Sequence, residues 1–502
     1  MEKWSGRIGA LLALIGGAVG LGNFLRFPFQ AAKWGGGAFL IPYLVALVAV
    51  GLPLVWMEMA LGRAGAQSNR QSAPELLHFL LGRRGWYIGL LGVYVSMAVG
   101  AYYAYLTGWT LGYTWHAVIG TFRQLTLEKV VAFHGEFIQD EVIVFWLITW
   151  IITGLILYRG LRDGLEAVNL WGMPMLFLLG LAIAIGAVLV GNTGKCPTCD
   201  SHIGVAYLYA PRWAELKSPA VWLAAVGQVF FSIGVGFAMY PVYAASAERL
   251  SPIRAGTQTV LANTIAEIGL GGLIVIPLVT AFLGLDYVRE KAGFGLGFAV
   301  MPYVLNEWGG RVLIIAWYIL LFLAAISSLI AMGWVGVTWL SAVLGGEPRR
   351  WTFVFIIGML LIGFPAVWGY QKGTLDLYDQ IVGTVMLILA GLGHWWAFHQ
   401  AFAHSRLREE VPRLAKPLWR LLLRWMPPLF LGGLLVGTLF QPVENDWLAA
   451  VKALFQEGRW PWAPEGLLPQ LLRSLRSSFW NVLGLFNLIL LGLILIALRR
   501  RP

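Results

Sequence analysis

Apolar residues in this chain fall into long, nearly uninterrupted runs, each closed by glycine, proline or charge. Runs of this length match the roughly 20 residues an α-helix needs to cross a bilayer. They predict twelve spans, over residues 7–33, 38–62, 86–116, 142–158, 165–191, 220–246, 255–284, 309–343, 351–368, 376–402, 425–443 and 477–498. Because the runs are continuous and do not alternate in polarity, they exclude a transmembrane β-barrel. An even number of spans puts both ends of the chain on one side. The connections and ends on that side carry 21 Lys and Arg against 15 opposite, so both termini are predicted to be cytoplasmic. Arg63, Arg70, Arg83 and Arg84 share one connection, Arg406 to Arg424 lie in another, and Arg499 to Arg501 close the chain. The first run is too long for a signal-peptide core and lacks a small-residue cleavage site, so it is expected to persist as a span.

Of the 502 residues, 59% are hydrophobic and 12% charged, against roughly 45–50% and about 25% in a soluble globular chain. A soluble enzyme is thereby excluded. Aromatic residues at 14% exclude disorder, and two cysteines exclude a disulfide scaffold. A net charge of +11 suits a nucleic-acid partner in a soluble protein. Here the basic residues occupy connections between spans, so the charge reads as topology, with the bilayer as partner and no nucleic acid. Cys196 and Cys199 form C-P-T-C in the outer connection 192–219, followed by Asp200 and His202. They suit a small disulfide or half of a zinc site, and the missing second half favours a structural or incidental role. Residues 444–475, rich in Trp, Pro and charge, read as an ordered outer loop. No P-loop, Ser/His/Asp set or His/Glu metal pattern occurs, so neither an enzyme nor an organic cofactor is expected. His394 and His399 read as interfacial or packing residues.

Span 1 contains G-G-A-V-G-L-G-N-F (16–24) and span 6 contains F-F-S-I-G-V-G-F (230–237). Glycine inside a helix costs about 1 kcal/mol relative to alanine. Either cluster alone could serve close helix packing. However, the two open successive groups of five spans, which is where inverted-repeat transporters place discontinuous helices. Unwound backbone at membrane depth needs protein or a wet cavity around it, and its free N–H and C=O groups can then act as ligands.

G-N-F-L-R-F-P (22–28), G-G-G-A-F-L-I-P-Y (35–43), Y-Y-A-Y in span 3, V-G-Q-V-F-F-S in span 6 and L-D-L-Y-D (375–379) resemble the neurotransmitter:sodium symporter family over nearly the whole chain, especially bacterial amino-acid members such as LeuT. The resemblance implies an all-α polytopic membrane protein of twelve transmembrane helices, with a 5+5 inverted repeat and discontinuous helices 1 and 6. The first repeat would cover residues 1–205 and the second 206–423, with helices 11 and 12 in 424–502.

The resemblance also implies two Na⁺ sites. One uses the Ala18 carbonyl, the side-chain oxygens of Asn23 and Asn263, and Ser232, completed by the substrate carboxylate, so that ion and substrate raise each other's affinity. Taken alone, Asn23 and Asn263 equally suit interhelical hydrogen bonding. The second site uses the carbonyls of Gly16, Val19 and Ala324 with the hydroxyls of Ser327 and Ser328, for which bonding to their own i−4 carbonyls is the plainer alternative. An amino-acid carboxylate would meet the N–H groups of Leu21 and Gly22 and the Tyr103 hydroxyl, and its ammonium the carbonyls of Ala18, Phe231 and Ser232. Monoamine-carrying relatives have Asp at the position of Gly20, which favours amino acids here. Val99, Tyr103, Phe231, Phe237, Ser328 and Met332 would line the side-chain pocket. Gly234, a serine in LeuT, would leave room for a larger apolar or aromatic side chain.

Arg26 and Asp379 resemble the extracellular gate, closing as an ion pair above Tyr103 and Phe231; snorkelling is the alternative for Arg26. The family's cytoplasmic Arg and Asp correspond to Met1 and Ala342, so the inner gate must be held differently, with Trp4 and Trp334 as candidates. Glu267, near Gln228, Ser232 and Tyr43, stands where chloride-dependent relatives have a neutral residue. Its charge could replace chloride, and its protonation could drive proton counterflow.

The chain is thus expected to be a sodium-coupled symporter in a prokaryotic cell (inner) membrane, importing a neutral, hydrophobic or aromatic amino acid by alternating access, independently of chloride. The alternatives are a sodium-coupled carrier of another small organic solute, or a non-transporting amino-acid sensor or channel of the same fold. Oligomeric state is not legible.

Overall fold

The computed structural model describes residues 2–123, 125–247, 250–290, 296–402, 405–411, 417–439, 471, 474–475 and 478–497. These are almost entirely helical. The strand-like pairings among them are two isolated bridges, Gly36 with Pro211 and Asn192 with Asp200. Among the described residues nine helices are long and apolar enough to cross a membrane, or eleven if each of two sharply bent pairs is one span. Pro219–Ser232 followed by Met239–Ala245 supplies the sixth predicted span, consistent with twelve. Large apolar side chains such as Ile151, Leu155, Leu178, Phe353 and Leu429 are exposed on the outer helices, where lipid tails are as apolar as they are.

The first span opens at its glycine cluster. Arg7–Ala18 ends where Val19 becomes extended (φ −78, ψ 108), and Gly22–Lys33 resumes at 48° to it. In the sixth span, Pro219–Ser232 stops at Ile233. Gly234 (φ 73), Gly236 (φ 89) and Ala238 (φ 57) then carry the chain through left-handed conformations before Met239–Ala245 begins. Two of these three positions are glycine, which lacks the Cβ that makes such φ values costly. The G-x-G spacing therefore breaks the helix and does more than admit a neighbour.

Backbone groups freed by the second break find partners inside the protein, as an apolar surround requires. The Gly236 N–H donates to Glu58 at 2.8 Å, the Ile233 carbonyl accepts from the Tyr240 hydroxyl at 2.5 Å, and the Phe237 carbonyl accepts from the Ser96 hydroxyl. The third span, Arg83–Ile119, and the seventh, Pro252–Leu283, are the most enclosed of the long helices and flank both breaks. Widened i→i+5 turns at Gly22–Arg26, Ile265–Gly272 and Asp379–Met386 carry Asn23, Glu267 and Asp379. Such turns recur at functional positions.

Several boundaries differ from the sequence reading. The eighth span runs Met301–Leu344 through a non-helical Gly310 (φ 69, ψ −156). The fourth, Val142–Tyr158, is preceded by a helix, Leu127–Asp140, bent 65° from it. Ala73–Leu81, Ser201–Tyr209 and Leu285–Glu290 are short helices within connections, too short to register as spans. Cys196 and Cys199 form a disulfide, which resolves the C-P-T-C alternatives in favour of a covalent turn. Most of the expected outer loop 444–475, and the cluster Arg499 to Arg501, lie outside the described residues.

Candidate functional site

Both breaks face one cavity, which leaves about 50 Å³ of open space in this conformation. Gly17, Ala18, Gly20, Gly22 and Asn23 line it from the first span, and Phe231, Ser232, Gly234, Phe237 and Met239 from the sixth. Val99 and Tyr103 come from the third, and Ser328 and Met332 from the eighth. The Tyr103 hydroxyl accepts the Leu21 N–H at 3.0 Å, so it sits at the opened N-terminus of Gly22–Lys33. No Asp, Glu, Lys or Arg is among these lining residues. A charged guest would lack a counter-charge in this wall, and unpaired burial of charge is costly.

Every residue expected from sequence to meet the substrate lines the cavity except Leu21, which lines the vestibule above it and bonds the Tyr103 hydroxyl through its N–H. Gly17 and Met239 were missed, and Met239 corrects one expectation. A Cβ on Gly234 would run into the Met239 terminal methyl, so the space released by glycine is already filled in part by methionine. At Gly20 a Cβ would stand 2.8 Å from both the Ser328 Oγ and the Tyr103 hydroxyl, so an acid there would have to displace these side chains.

Two groups of oxygens border the cavity. In one, the Gly20 N–H donates to Asn23 Oδ1 at 2.8 Å and Asn23 Nδ2 donates to Asn263 Oδ1 at 2.7 Å. Asn263 Nδ2 in turn donates to Ser232 Oγ at 3.1 Å. Asn23 and Asn263 are fully buried. In the other, the Ser328 hydroxyl lies 3.3 Å from each of the carbonyls of Gly16, Val19 and Ala324. Ser327 lies 3.0 Å from the Ala324 carbonyl and 3.5 Å from that of Val19. The i−4 bond of Ser328 to Ala324 thus coexists with contacts across to the first break. Neutral oxygens at this density suit a hard monovalent cation.

Glu267 is wholly buried beside the first group. It accepts from Gln228 at 2.6 Å and from the Tyr43 hydroxyl. Above the cavity, Arg26 and Asp379 line a shared vestibule with Tyr102, Tyr103, Phe231 and Asp376. The expected ion pair between them is not formed in this conformation. Asp379 accepts from the Tyr102 hydroxyl at 2.7 Å, while the Arg26 guanidinium lies 4.5 Å above the Phe231 ring. A cation over an aromatic face is itself an attractive arrangement, and the carboxylate is already engaged.

The face near the start of the chain is held by contacts among Glu2, Trp4, Ser5 and their neighbours. The Trp4 indole donates to the Tyr243 carbonyl at 3.1 Å, and the Ser5 N–H donates to Glu166 at 2.8 Å. The Leu161 N–H donates to the Glu2 carboxylate at 2.6 Å. Gln71 donates to the Glu2 carbonyl and to Ser246. Of the two candidates for the inner gate, Trp4 takes part in these contacts, whereas Trp334 is buried within the eighth span; Met1 lies outside the described residues.

Sequence reasoning also missed Glu58. It and His394 are fully buried and meet at 2.7 Å, so His394 is neither interfacial nor ordinary packing. The signal was available, since the argument that singles out an intramembrane acid at Glu267 applies equally to Glu58. His399 instead lies 3.2 Å from the Leu423 carbonyl.

Comparison with known proteins agrees with this geometry. Residues 1–123 and 120–452 match the family model described as the Sodium:neurotransmitter symporter family. The chain is 28% identical over 438 residues to an uncharacterized sodium-dependent transporter of Methanocaldococcus jannaschii, covering 83% of this chain and 85% of the relative. It is 28% identical over 266 residues to the sodium-dependent neutral amino acid transporter SLC6A17 of Rattus norvegicus, covering 47% and 34%. Among solved structures, MhsT in complex with L-phenylalanine superposes with a TM-score of 0.77 at 27% identity, covering 87% of this chain and 99% of that one. Helices opened at matching depths, a membrane-spanning helical fold and a family match over most of the length lead to one conclusion: this chain belongs to the sodium:neurotransmitter symporter family, whose members are sodium-coupled transporters and not enzymes.

Proposed function

We propose that the protein is a sodium-coupled symporter that imports a neutral, hydrophobic or aromatic amino acid without a requirement for chloride. The observation that carries this reading is a cavity faced by both helix breaks, free of charged walls and bordered by two groups of carbonyl, amide and hydroxyl oxygens. One Na⁺ would be held by the Ala18 carbonyl, Asn23, Asn263 and Ser232 together with the substrate carboxylate. A second would be held by the carbonyls of Gly16, Val19 and Ala324 with Ser327 and Ser328. The carboxylate would rest at the N–H groups of Leu21 and Gly22 beside Tyr103, where the helix dipole favours an anion. The ammonium would face the carbonyls of Ala18, Phe231 and Ser232. Val99, Phe231, Phe237, Met239 and Met332 would surround the side chain. The neutral amino acid in the rat relative's name and the L-phenylalanine bound to MhsT support this substrate class.

Glu267 supplies a fixed negative charge beside the first sodium position and stands in for chloride. Alternating access follows from rocking of the first repeat, 1–205, against the second, 206–423, with residues 424–502 outside the repeats. Arg26 and Asp379 gate the outer vestibule, and the contacts of Glu2, Trp4 and Ser5 close the inner side. We place the protein in a prokaryotic inner membrane with both termini cytoplasmic.

The test is uptake of labelled L-phenylalanine into proteoliposomes under an inward Na⁺ gradient, with competition by each of the twenty amino acids and with gluconate replacing chloride. Gradient-driven accumulation blocked by apolar and aromatic amino acids, and unchanged without chloride, is the expected result. Saturable binding with no accumulation would favour a sensor, and competition by none of the twenty would favour another organic solute.

A further inference from the structure

We propose that Glu58 and His394 form a proton-binding site, separate from the sodium and substrate positions, that makes the proton a further ligand of this transporter and links it to the break in the sixth span. Glu58 comes from the second span and His394 from the tenth, and both are fully buried. One carboxylate oxygen, Oε1, takes both the His394 Nδ1 contact at 2.7 Å and the Gly236 N–H at 2.8 Å. The other oxygen, Oε2, and the second ring nitrogen, Nε2, are buried with no hydrogen-bond partner among the described residues. With a neutral imidazole the pair carries one uncompensated negative charge in an apolar interior, and uptake of a single proton removes it. A buried group of this kind either finds a counter-charge or takes a proton.

The link to transport is geometric. Gly236 belongs to the unwound strap between Ser232 and Met239, and its neighbours Gly234 and Phe237 line the substrate cavity. A proton taken up on either partner draws acceptor strength from Oε1, by making the His394 contact to that oxygen charge-assisted or by neutralising the carboxylate, and so weakens the Gly236 N–H bond. Acid therefore loosens the strap, and any ligand that favours the strap as seen here binds less tightly in acid. Few other titratable groups face the pair. From the sixth span, Tyr240 is the titratable neighbour of Glu58, and its hydroxyl is engaged by the Ile233 carbonyl. The third span presents Gly92 towards the His394 ring and Ser96 to the strap, neither of them ionisable. Farther along the same helices, Arg63 pairs with Glu410 at 3.5 Å and His399 faces Leu423.

The experiment titrates Na⁺ into purified full-length protein, read by intrinsic tryptophan fluorescence, between about pH 5 and 8, first alone and then with L-phenylalanine. His394→Asn keeps a side-chain donor for Glu58 but cannot titrate in this range. Glu58→Gln keeps an oxygen for Gly236 but cannot ionise, and it repeats the test from the other partner should the first variant fail to fold. The expected result is a wild-type Na⁺ midpoint that rises in acid, by up to about tenfold per pH unit for one linked proton, and becomes flat in either variant. A flat wild-type midpoint, or an acid shift that survives unchanged in a folded variant, overturns the proposal. The sodium arm needs no amino acid. Failure of L-phenylalanine alone to bind therefore counts against the substrate reading and leaves the proton site standing on its own result.

Discussion

Ser328 makes the sharpest division among the oxygens. Its hydroxyl reaches three carbonyls at 3.3 Å, two of them on the first span, whereas Ser327 is nearer its own helix than the break. A contact to a charged partner is worth roughly 1.5–3 kcal/mol. Ser328→Ala is therefore expected to raise the Na⁺ concentration for half-maximal uptake by about tenfold or more, and Ser327→Ala by distinctly less. Equal effects would show that the second sodium position is misplaced. Gly20→Asp should abolish amino-acid uptake, because its Cβ alone would stand 2.8 Å from two hydroxyl oxygens; uptake in proteoliposomes at wild-type expression is the check. Glu267→Gln removes the buried charge while keeping most of the contacts to Gln228 and Tyr43. It is expected to convert chloride-independent uptake into uptake stimulated by chloride.

The two opened helices were legible because glycine spacing is a local property of backbone energetics. Gly234 and Gly236 do adopt the positive φ values that other residues resist. Gly236→Ala should accordingly destabilise the protein by about 1–2 kcal/mol for the left-handed conformation alone. A further cost comes from the Leu387 carbonyl, which would lie 2.9 Å from the added carbon. A lowered thermal midpoint together with weakened Na⁺ binding is the outcome to look for. What occupies the space that a glycine leaves was not legible, and Met239 shows why. Its methyl reaches Gly234 only because the chain doubles back through the strap, five residues on. The contacts proposed to close the inner side were equally hidden. The absence of the family's Arg and Asp could be read directly, but the replacement joins Trp4 to Tyr243 and Ser5 to Glu166 across distances in sequence that no spacing rule connects. Trp4→Ala should expose this face, seen as faster alkylation of a cysteine placed at Ser246, which lies against Gln71 in the same cluster.

Coupling belongs to the assembled molecule, since each of the two proposed sodium positions draws oxygens from more than one span. A ligand present at about 100 times its dissociation constant stabilises the folded state by about 2.7 kcal/mol. Na⁺ and L-phenylalanine together should raise the thermal midpoint by more than the sum of their separate effects, while K⁺ with L-phenylalanine should leave it unmoved. Simple additivity would argue against a carboxylate shared with the ion.

Hydropathy, charge placement and glycine spacing are carried by single segments, so membrane class, span positions and the sites of unwinding could be read from the chain alone. The resemblance added candidate ligands, and folding does gather Gly16, Val19, Ala324, Ser327 and Ser328. Other features depend on which faces of distant helices meet. Arg26 turns to an aromatic ring and away from Asp379 because Tyr102 reaches the carboxylate first. Glu58 finds His394 336 residues away. Such pairings are selected by the need to satisfy buried polar groups in three dimensions, a constraint with no footprint in local sequence.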